Sequence, residues 1–117
     1  MNGKRFFLPA ESIRPVATGH GACIATDRIT VDGLPVRFMY REPPSHDADS
    51  GWRFTSGIES DEYMDDPANH GIYDVNTIAN CDPSIVPHLA APAGSAFEKL
   101  PDAQDFIEVD DWDAESG

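Results

Sequence analysis

Four carboxylates crowd one short segment of the chain, where they could act together on a cation. Asp61 and Asp65 are four residues apart, so on a helix they would share a face. The same spacing separates Glu62 from Asp66. Divalent cations such as Ca²⁺ prefer several carboxylate oxygens, but this segment lacks the Asp-x-Asp-x-Asp-Gly spacing of a calcium-binding loop. We therefore predict that no metal binds tightly here and that the carboxylates face solvent or a partner.

The other residue types used in catalysis are scattered along the chain. Neither Cys23 nor Cys81 has the spacing of a metal-ligand pair, and both are predicted to be buried free thiols in a reducing compartment. No nucleophile motif, phosphate loop or dinucleotide fingerprint occurs. The histidines also lack zinc-ligand spacing: His20, His46, His70 and His88. The sequence predicts a protein that is not an enzyme and uses no cofactor. The alternative is a small hydrolase or metal-dependent enzyme built on residues 61–66.

Residues 62–66 combine acidic side chains with an aromatic ring and a thioether. Tyrosine and methionine supply adaptable contact area at protein interfaces, and neighbouring carboxylates orient a partner. This composition is more typical of recognition than of catalysis. The residues predicted to bind a partner in this segment are Glu62, Tyr63, Met64, Asp65 and Asp66.

The charge distribution indicates which kind of partner to expect. The net charge is −13, with +3 in residues 1–41, −9 in residues 42–97 and −7 in residues 98–117. Such a field repels the phosphates of nucleic acids and the surfaces of anionic membranes. It attracts basic protein surfaces, so we predict a basic protein partner, with no nucleic acid and no membrane.

The first third of the chain has the pattern of β structure. Residues 22–26 form a short run of small and β-branched side chains, and residues 36–41 alternate between apolar and polar. The alternation predicts that Val36, Phe38 and Tyr40 lie on one buried face. Asp32-Gly33-Leu34-Pro35 carries a turn signal, so the two runs are predicted to form a hairpin.

The middle of the chain predicts a strand followed by short helices. Trp52 and Phe54 share one face of a strand over residues 51–57. Ser56 and Glu59 have the spacing of a capping box, and Pro67 should end the resulting helix at Asp66.

Further along the chain, Asp74 or Asn76 is expected to cap a second helix. Asp82 and Pro83 are expected to start a third, which Pro87 keeps short. Residues 95–99 and 106–109 are predicted to form the final strands.

Together these elements predict an α+β fold, with an antiparallel sheet and short helices in a single compact domain. Residues 1–19 form an N-terminal segment, residues 20–109 the domain, and residues 110–117 an acidic tail predicted to be disordered. The start of the chain lacks the apolar run of a signal peptide, and no stretch approaches the roughly 20 apolar residues of a membrane span. A cytoplasmic location is predicted. The predicted core is Ile24, Phe38, Tyr40, Trp52, Phe54, Ile72, Ile78, Ile85 and Phe97.

Several short motifs, in order, closely resemble a bacterial family first catalogued as a domain of unknown function and later named immunity protein family thirty-three. The motifs are residues 50–57 (SGWRFTSG), 61–67 (DEYMDDP), 71–80 (GIYDVNTIAN), 82–85 (DPSI) and 94–98 (GSAFE). The resemblance covers roughly residues 20–100 and brings no catalytic residues. The matching motif positions are Trp52, Arg53, Tyr63, Asp65, Asp66, Tyr73, Asn76, Thr77 and Asn80.

The resemblance implies a bacterial cytosolic protein, some of whose relatives are encoded beside polymorphic toxin genes and are inferred to neutralise the toxin. It adds Tyr73 and Asn76 to the residues predicted to bind a partner. An acidic protein can cover the basic active site of a toxin by complementarity alone, without chemistry of its own. The leading hypothesis is therefore a toxin-neutralising protein-binding module. A standalone regulatory or structural domain is a further alternative.

Overall fold

A computed structural model describes residues 6–109 of the 117-residue chain. It contains six strands: β1 (Ala22–Thr26), β2 (Phe38–Arg41), β3 (Asp49–Thr55), β4 (His70–Asp74), β5 (Ala96–Glu98) and β6 (Ile107–Glu108). Its α-helices are α1 (Asp27–Thr30), α2 (Asp61–Asp65) and α3 (Val75–Cys81). Short 3₁₀ helices form at Ala10–Ser12, Pro67–Asn69 and Pro83–His88. None of the helices within residues 6–109 has the length and apolar character needed to cross a membrane. The predicted disordered tail, residues 110–117, lies outside the described residues.

The six strands form one sheet in the order β4-β1-β3-β2-β5-β6. Only the β1–β3 pair is parallel, and the other four pairs are antiparallel. The predicted α+β class with short helices is thus confirmed. The predicted hairpin between β1 and β2 is wrong, because β3 lies between these two strands. The chain enters α1 directly after Thr26, and Gly33, with φ of +77°, turns the chain only after that helix.

One face of the sheet carries the core, together with α1, α3 and the 3₁₀ helix Pro83–His88. The predicted core position is confirmed for Trp52, Phe54, Ile78, Ile85 and Phe97, all of which are buried. Other members of the core are Cys23, Ala25, Ile29, Val36, Met39, Val75, Ala79, Leu89 and Phe106.

The predicted face of β2 is wrong. Met39 is 0% exposed and packs in the core, whereas Phe38 and Tyr40 are only partly buried on the other face. Apolar side chains occur on both faces of this strand, so the alternation of residues along it did not show which face is buried. Val36 is buried as predicted, but it precedes the strand, so its burial does not set the strand's alternation.

The predicted burial of Ile72 is also wrong, since this side chain is 74% exposed. Strand β4 pairs with β1 so that Ile72 lies opposite Ile24 and Tyr73 lies opposite Cys23. Cys23 is buried in the core, so the alternation of the strands places both isoleucines on the opposite face. Ile24 itself is only partly buried.

The predicted local signals act largely where expected. Helix α2 begins at Asp61 rather than after Ser56, because Ser60 is its N-cap and accepts a hydrogen bond from the Tyr63 amide. It ends before Asp66, as Pro67 predicted. Glu59 does reach back to the Ser56 amide (2.8 Å), although no helix starts there.

The predicted caps of the next two helices are confirmed. The side chain of Asp74 caps α3, and the side chain of Asp82 caps the following 3₁₀ helix. In each case the carboxylate accepts a hydrogen bond from the amide two residues on, which would otherwise have no partner within the helix.

Strand β3 contains an irregularity at Gly51 that shapes the sheet. Three residues separate Asp49 from Arg53, while one residue separates their partners on β1, Ala22 and Ile24. Gly51 has φ of +87°, and a Cβ at this position would collide with the carbonyl oxygen of Glu42. The bulge therefore depends on a residue without a side chain.

Two glycine substitutions separate the backbone effect from the steric effect. Gly94 also has a positive φ (+95°), but a Cβ there would meet nothing within 4 Å. We expect Gly94→Ala to cost about 1–2 kcal/mol of stability, the cost of the left-handed conformation alone. Gly51→Ala should cost about 1–3 kcal/mol more, because the crowded backbone must move. Urea denaturation compares the two variants, and equal losses would contradict the crowding at Gly51.

Candidate functional site

The predicted acidic segment forms α2 and the residue that follows it. Asp61, Glu62 and Asp65 are exposed on this helix. The Asp66 carboxylate instead accepts a hydrogen bond from the Ala68 amide (2.9 Å) and caps the next 3₁₀ helix. All four residues are exposed to solvent, and Asp66 also has a structural role as a helix cap.

The two non-acidic residues of the segment make different contacts. The Tyr63 ring lies under the guanidinium of Arg28 on α1, with 4.7 Å between the guanidinium carbon and the ring centroid. Met64 lines two hollows over the sheet together with Tyr40 and Thr55. A ring nitrogen of His70 lies 3.3 Å from the Met64 carbonyl oxygen and holds the end of α2 against β4.

Tyr73 and Asn76 lie on the side of the sheet that carries the core, apart from Met64. Asn76 Oδ1 accepts hydrogen bonds from the amides of Val16 and Ala17, each at 2.8 Å. The Tyr73 hydroxyl lies 3.2 Å from Thr30 Oγ1. The structure does not bring the seven predicted residues onto one surface. A partner-binding role for them stays a prediction, and Asn76 also ties the N-terminal segment to α3.

The other face of the sheet is only partly covered, and we call it the open sheet face. Ile72, Ile24, Arg53 and Tyr40 occupy paired positions across β4, β1, β3 and β2. The next row pairs Thr55, Phe38 and Glu98 across β3, β2 and β5. We define the open sheet face by these residues: Ile24, Phe38, Tyr40, Arg53, Thr55, Ile72 and Glu98. Met64 of α2 lies at its rim.

Arg53 lies at the centre of the open sheet face and is neutralised by two carboxylates. Its guanidinium donates to both oxygens of Asp49 (3.0 and 3.1 Å) and to Glu42 Oε1 (2.8 Å). The hydrogen bonds from Arg53 hold the pKa of Asp49 well below its usual range. The Arg53 side chain is only 11% exposed, whereas that of Glu42 is 40% exposed. The exposed charge at this point of the face is therefore negative.

The β3 bulge produces this arrangement, because it places Asp49 beside Arg53. The Asp49 carboxylate also accepts a hydrogen bond from the Gly51 amide at 2.9 Å. The sequence contained part of this information. If Trp52 and Phe54 face the core, then Arg53 between them must face the other way. The sequence could not show that Asp49, four residues earlier, would be the partner of Arg53.

Several hollows lie along the open sheet face. One of about 70 Å³ lies beside Ile72, Arg53 and His46. Two more, of about 230 and 370 Å³, lie between the sheet and Met64. A separate hollow of about 230 Å³, on the core side of the sheet, lies between the N-terminal segment and Tyr73, lined also by Phe6 and Cys81. The uneven open sheet face can accommodate protruding side chains of a partner.

Comparison with known families identifies the group to which this chain belongs. Residues 23–110 match the family model described as the Immunity protein Imm33 domain. The match includes every strand, apart from Ala22 at the start of β1. The chain belongs to the Imm33 family. Neither the curated proteins nor the solved structures contain a match to the chain.

This Imm33 domain has protonated rather than reactive thiols. Burial raises the pKa of Cys23 far above its usual range. Burial, together with the nearby Asp82 carboxylate, also raises the pKa of Cys81. Since the thiolate is the nucleophilic form, neither group is activated at neutral pH. Across residues 6–109, no three His, Cys, Asp or Glu side chains are grouped so that they could hold a metal ion.

Proposed function

We propose that this Imm33 protein neutralises a toxin of a polymorphic toxin system in the bacterial cytoplasm. It acts by binding the toxin and covering a basic functional surface, with no catalysis of its own. The observation that carries this proposal is the exposed acidic helix α2, which stands at the rim of a partly apolar sheet face. Family membership supports a protein partner.

Electrostatic attraction gives this arrangement a kinetic advantage. Asp61, Glu62 and Asp65 are exposed, so they add to the field of a chain with net charge −13. Such a field speeds association with a basic partner, and salt weakens it because the Debye length falls to about 8 Å at physiological ionic strength. Dissociation depends instead on desolvated contacts such as those of Tyr63.

Reversing two charges of α2 should therefore slow association with the toxin encoded beside this gene. We choose Glu62→Lys with Asp65→Lys, because Asp66 also caps a helix. The association rate should fall about tenfold at low salt, with a smaller fall at high salt. Tyr63→Ala should mostly speed dissociation. Surface-based binding kinetics at low and high salt measure both effects.

A matched control distinguishes local from overall charge. Asp102→Lys with Asp105→Lys changes the net charge equally, and both residues are exposed in the loop before β6. This control should slow association less than the α2 variant does. If the two double variants behave alike, α2 contributes only to the overall field. If the wild-type chain neither binds nor neutralises the toxin, the proposed function is wrong.

A further inference from the structure

The open sheet face exposes several large apolar side chains to solvent. Ile72 is 74% exposed, and Ile107, which pairs with Glu98, is 56% exposed. Ile24, Phe38 and Tyr40 are partly exposed beside them. The ring centroids of Phe38 and Tyr40 on β2 lie 5.7 Å apart, so these two residues form an aromatic pair. Apolar side chains exposed together on one face of a sheet mark a binding surface.

The charges on the open sheet face indicate which kind of partner could bind there. The positive charge of Arg53 is neutralised by Asp49 and Glu42, and the Arg53 side chain is largely buried. Glu98 is exposed on β5, and no ion pair forms to it from any residue between 6 and 109. The face therefore combines apolar side chains with the exposed carboxylates of Glu42 and Glu98. A second copy of the chain would bring the same acids against these acids.

We infer that the open sheet face is the docking surface for a protein segment carrying apolar side chains flanked by lysine or arginine. In the proposed function, on which this inference rests, the segment belongs to the toxin. Apolar side chains would cover Ile72 and Ile24, and basic side chains would meet Glu42 and Glu98.

The face is continuous with α2 through Met64, which lines hollows shared with Tyr40 and with Glu98. Helix α2 and the open sheet face thus have different roles in binding. The exposed carboxylates of α2 attract the partner, and the apolar face holds it. Variants of the face should act mainly on dissociation, whereas charge reversal on α2 acts on association.

Binding of the neighbouring toxin provides the first test, with Ile72→Ser as the variant. The side chain is mostly exposed, so the fold should survive, and a thermal melt verifies this. Affinity should fall about fivefold or more, the effect of truncating an anchor at an interface. Val16→Ser is the matched control, because Val16 is also exposed but its segment is bonded to α3 on the opposite side of the sheet. It should leave affinity unchanged.

Charge complementarity is tested separately with Glu98→Lys. This variant should weaken toxin binding, with an effect that shrinks at high salt. If both Ile72→Ser and Glu98→Lys bind the toxin as the wild type does, the inference is wrong although the proposed function stands. Dimerisation of the wild type that Ile72→Ser abolishes would assign the face to a second copy and also overturn it.

A peptide unrelated to the toxin tests the docking surface separately from the proposed function. A synthetic peptide of alternating leucine and lysine should shift the amide NMR signals of β1, β2 and β4, and Ile72→Ser should weaken its binding about fivefold or more. Shifts confined to α2 or to the N-terminal segment would contradict the inference. If the peptide maps to the open sheet face while the toxin does not bind, the surface assignment stands and the proposed function fails.

Discussion

Replacing Trp52 with alanine is expected to lower the free energy of unfolding by about 3–5 kcal/mol. The side chain is 0% exposed, and its ring stacks on Phe54 with 6.1 Å between centroids. Its indole nitrogen donates to the Leu89 carbonyl at 3.2 Å, which links the sheet to the end of the last 3₁₀ helix. The substitution would leave a cavity at the centre of the core and an acceptor without its donor.

Urea denaturation followed by far-UV circular dichroism measures the effect of Trp52→Ala. Ile58→Ala is the matched control, since Ile58 is a large apolar residue that is mostly exposed. It should change stability by no more than about 0.5 kcal/mol. An unchanged midpoint and slope for Trp52→Ala would refute the central position of this residue in the core.

Replacing Lys99 with methionine should be about as costly, at about 3–5 kcal/mol, because it would leave a buried carboxylate without its counter-charge. Lys99 Nζ lies 2.8 Å from Asp82 Oδ2, and the Lys99 side chain is only 7% exposed. The same carboxylate oxygen accepts the Val36 amide at 2.9 Å. The ion pair therefore fixes β5, the segment before β2 and the last 3₁₀ helix to one another.

The pH dependence of this pair has a definite sign. Burial raises the pKa of Asp82, but hydrogen bonds from Lys99 and Ser84 outweigh it and place the pKa below its ordinary value of 3.8. A lowered pKa in the folded state stabilises the fold above about pH 3.8, and this contribution is lost as the pH falls through the folded-state pKa. In Lys99→Met the buried carboxylate can instead be protonated on acidification. The stability difference from the wild type should therefore narrow at acidic pH.

Urea denaturation at neutral pH and at about pH 4 tests this account of the ion pair. The double variant Lys99→Met with Asp82→Asn removes both charges and keeps an oxygen that can cap the helix. It should be more stable than Lys99→Met alone, since paired removal avoids an isolated buried charge. A Lys99→Met protein as stable as the wild type at neutral pH would show that the pair does not stabilise the fold.

Signals that act over a few residues could be predicted from the sequence. Pro67 ends α2, Asp74 caps α3, and Asp82 with Pro83 starts the last 3₁₀ helix. Each depends on one side chain and the nearest amides, so distant parts of the chain hardly affect it. The family could be predicted for the same reason, since its motifs are short and stand in order.

Only the tertiary structure showed which face of each strand is buried and in which order the strands lie in the sheet. Apolar residues of β2 lie on both of its faces, and only the packing of the whole core shows that Met39 is the one buried there. The predicted hairpin failed because pairing between strands is set by contacts between distant residues, and β3 buries Trp52 and Phe54 by lying between β1 and β2.

The candidate site likewise has features that could be predicted from the sequence and features that could not. The sequence alone indicated that the protein is acidic, that a short helix ends at Asp66 with its carboxylates facing solvent or a partner, and that the chain resembles an immunity protein family. Only the tertiary structure placed Tyr73 and Asn76 on the opposite side from Met64, and only it created the open sheet face. Several residues of that face are apolar, and their exposure depends on which face of the sheet the helices cover. That choice is made by packing of the whole chain, which no local pattern of residues encodes.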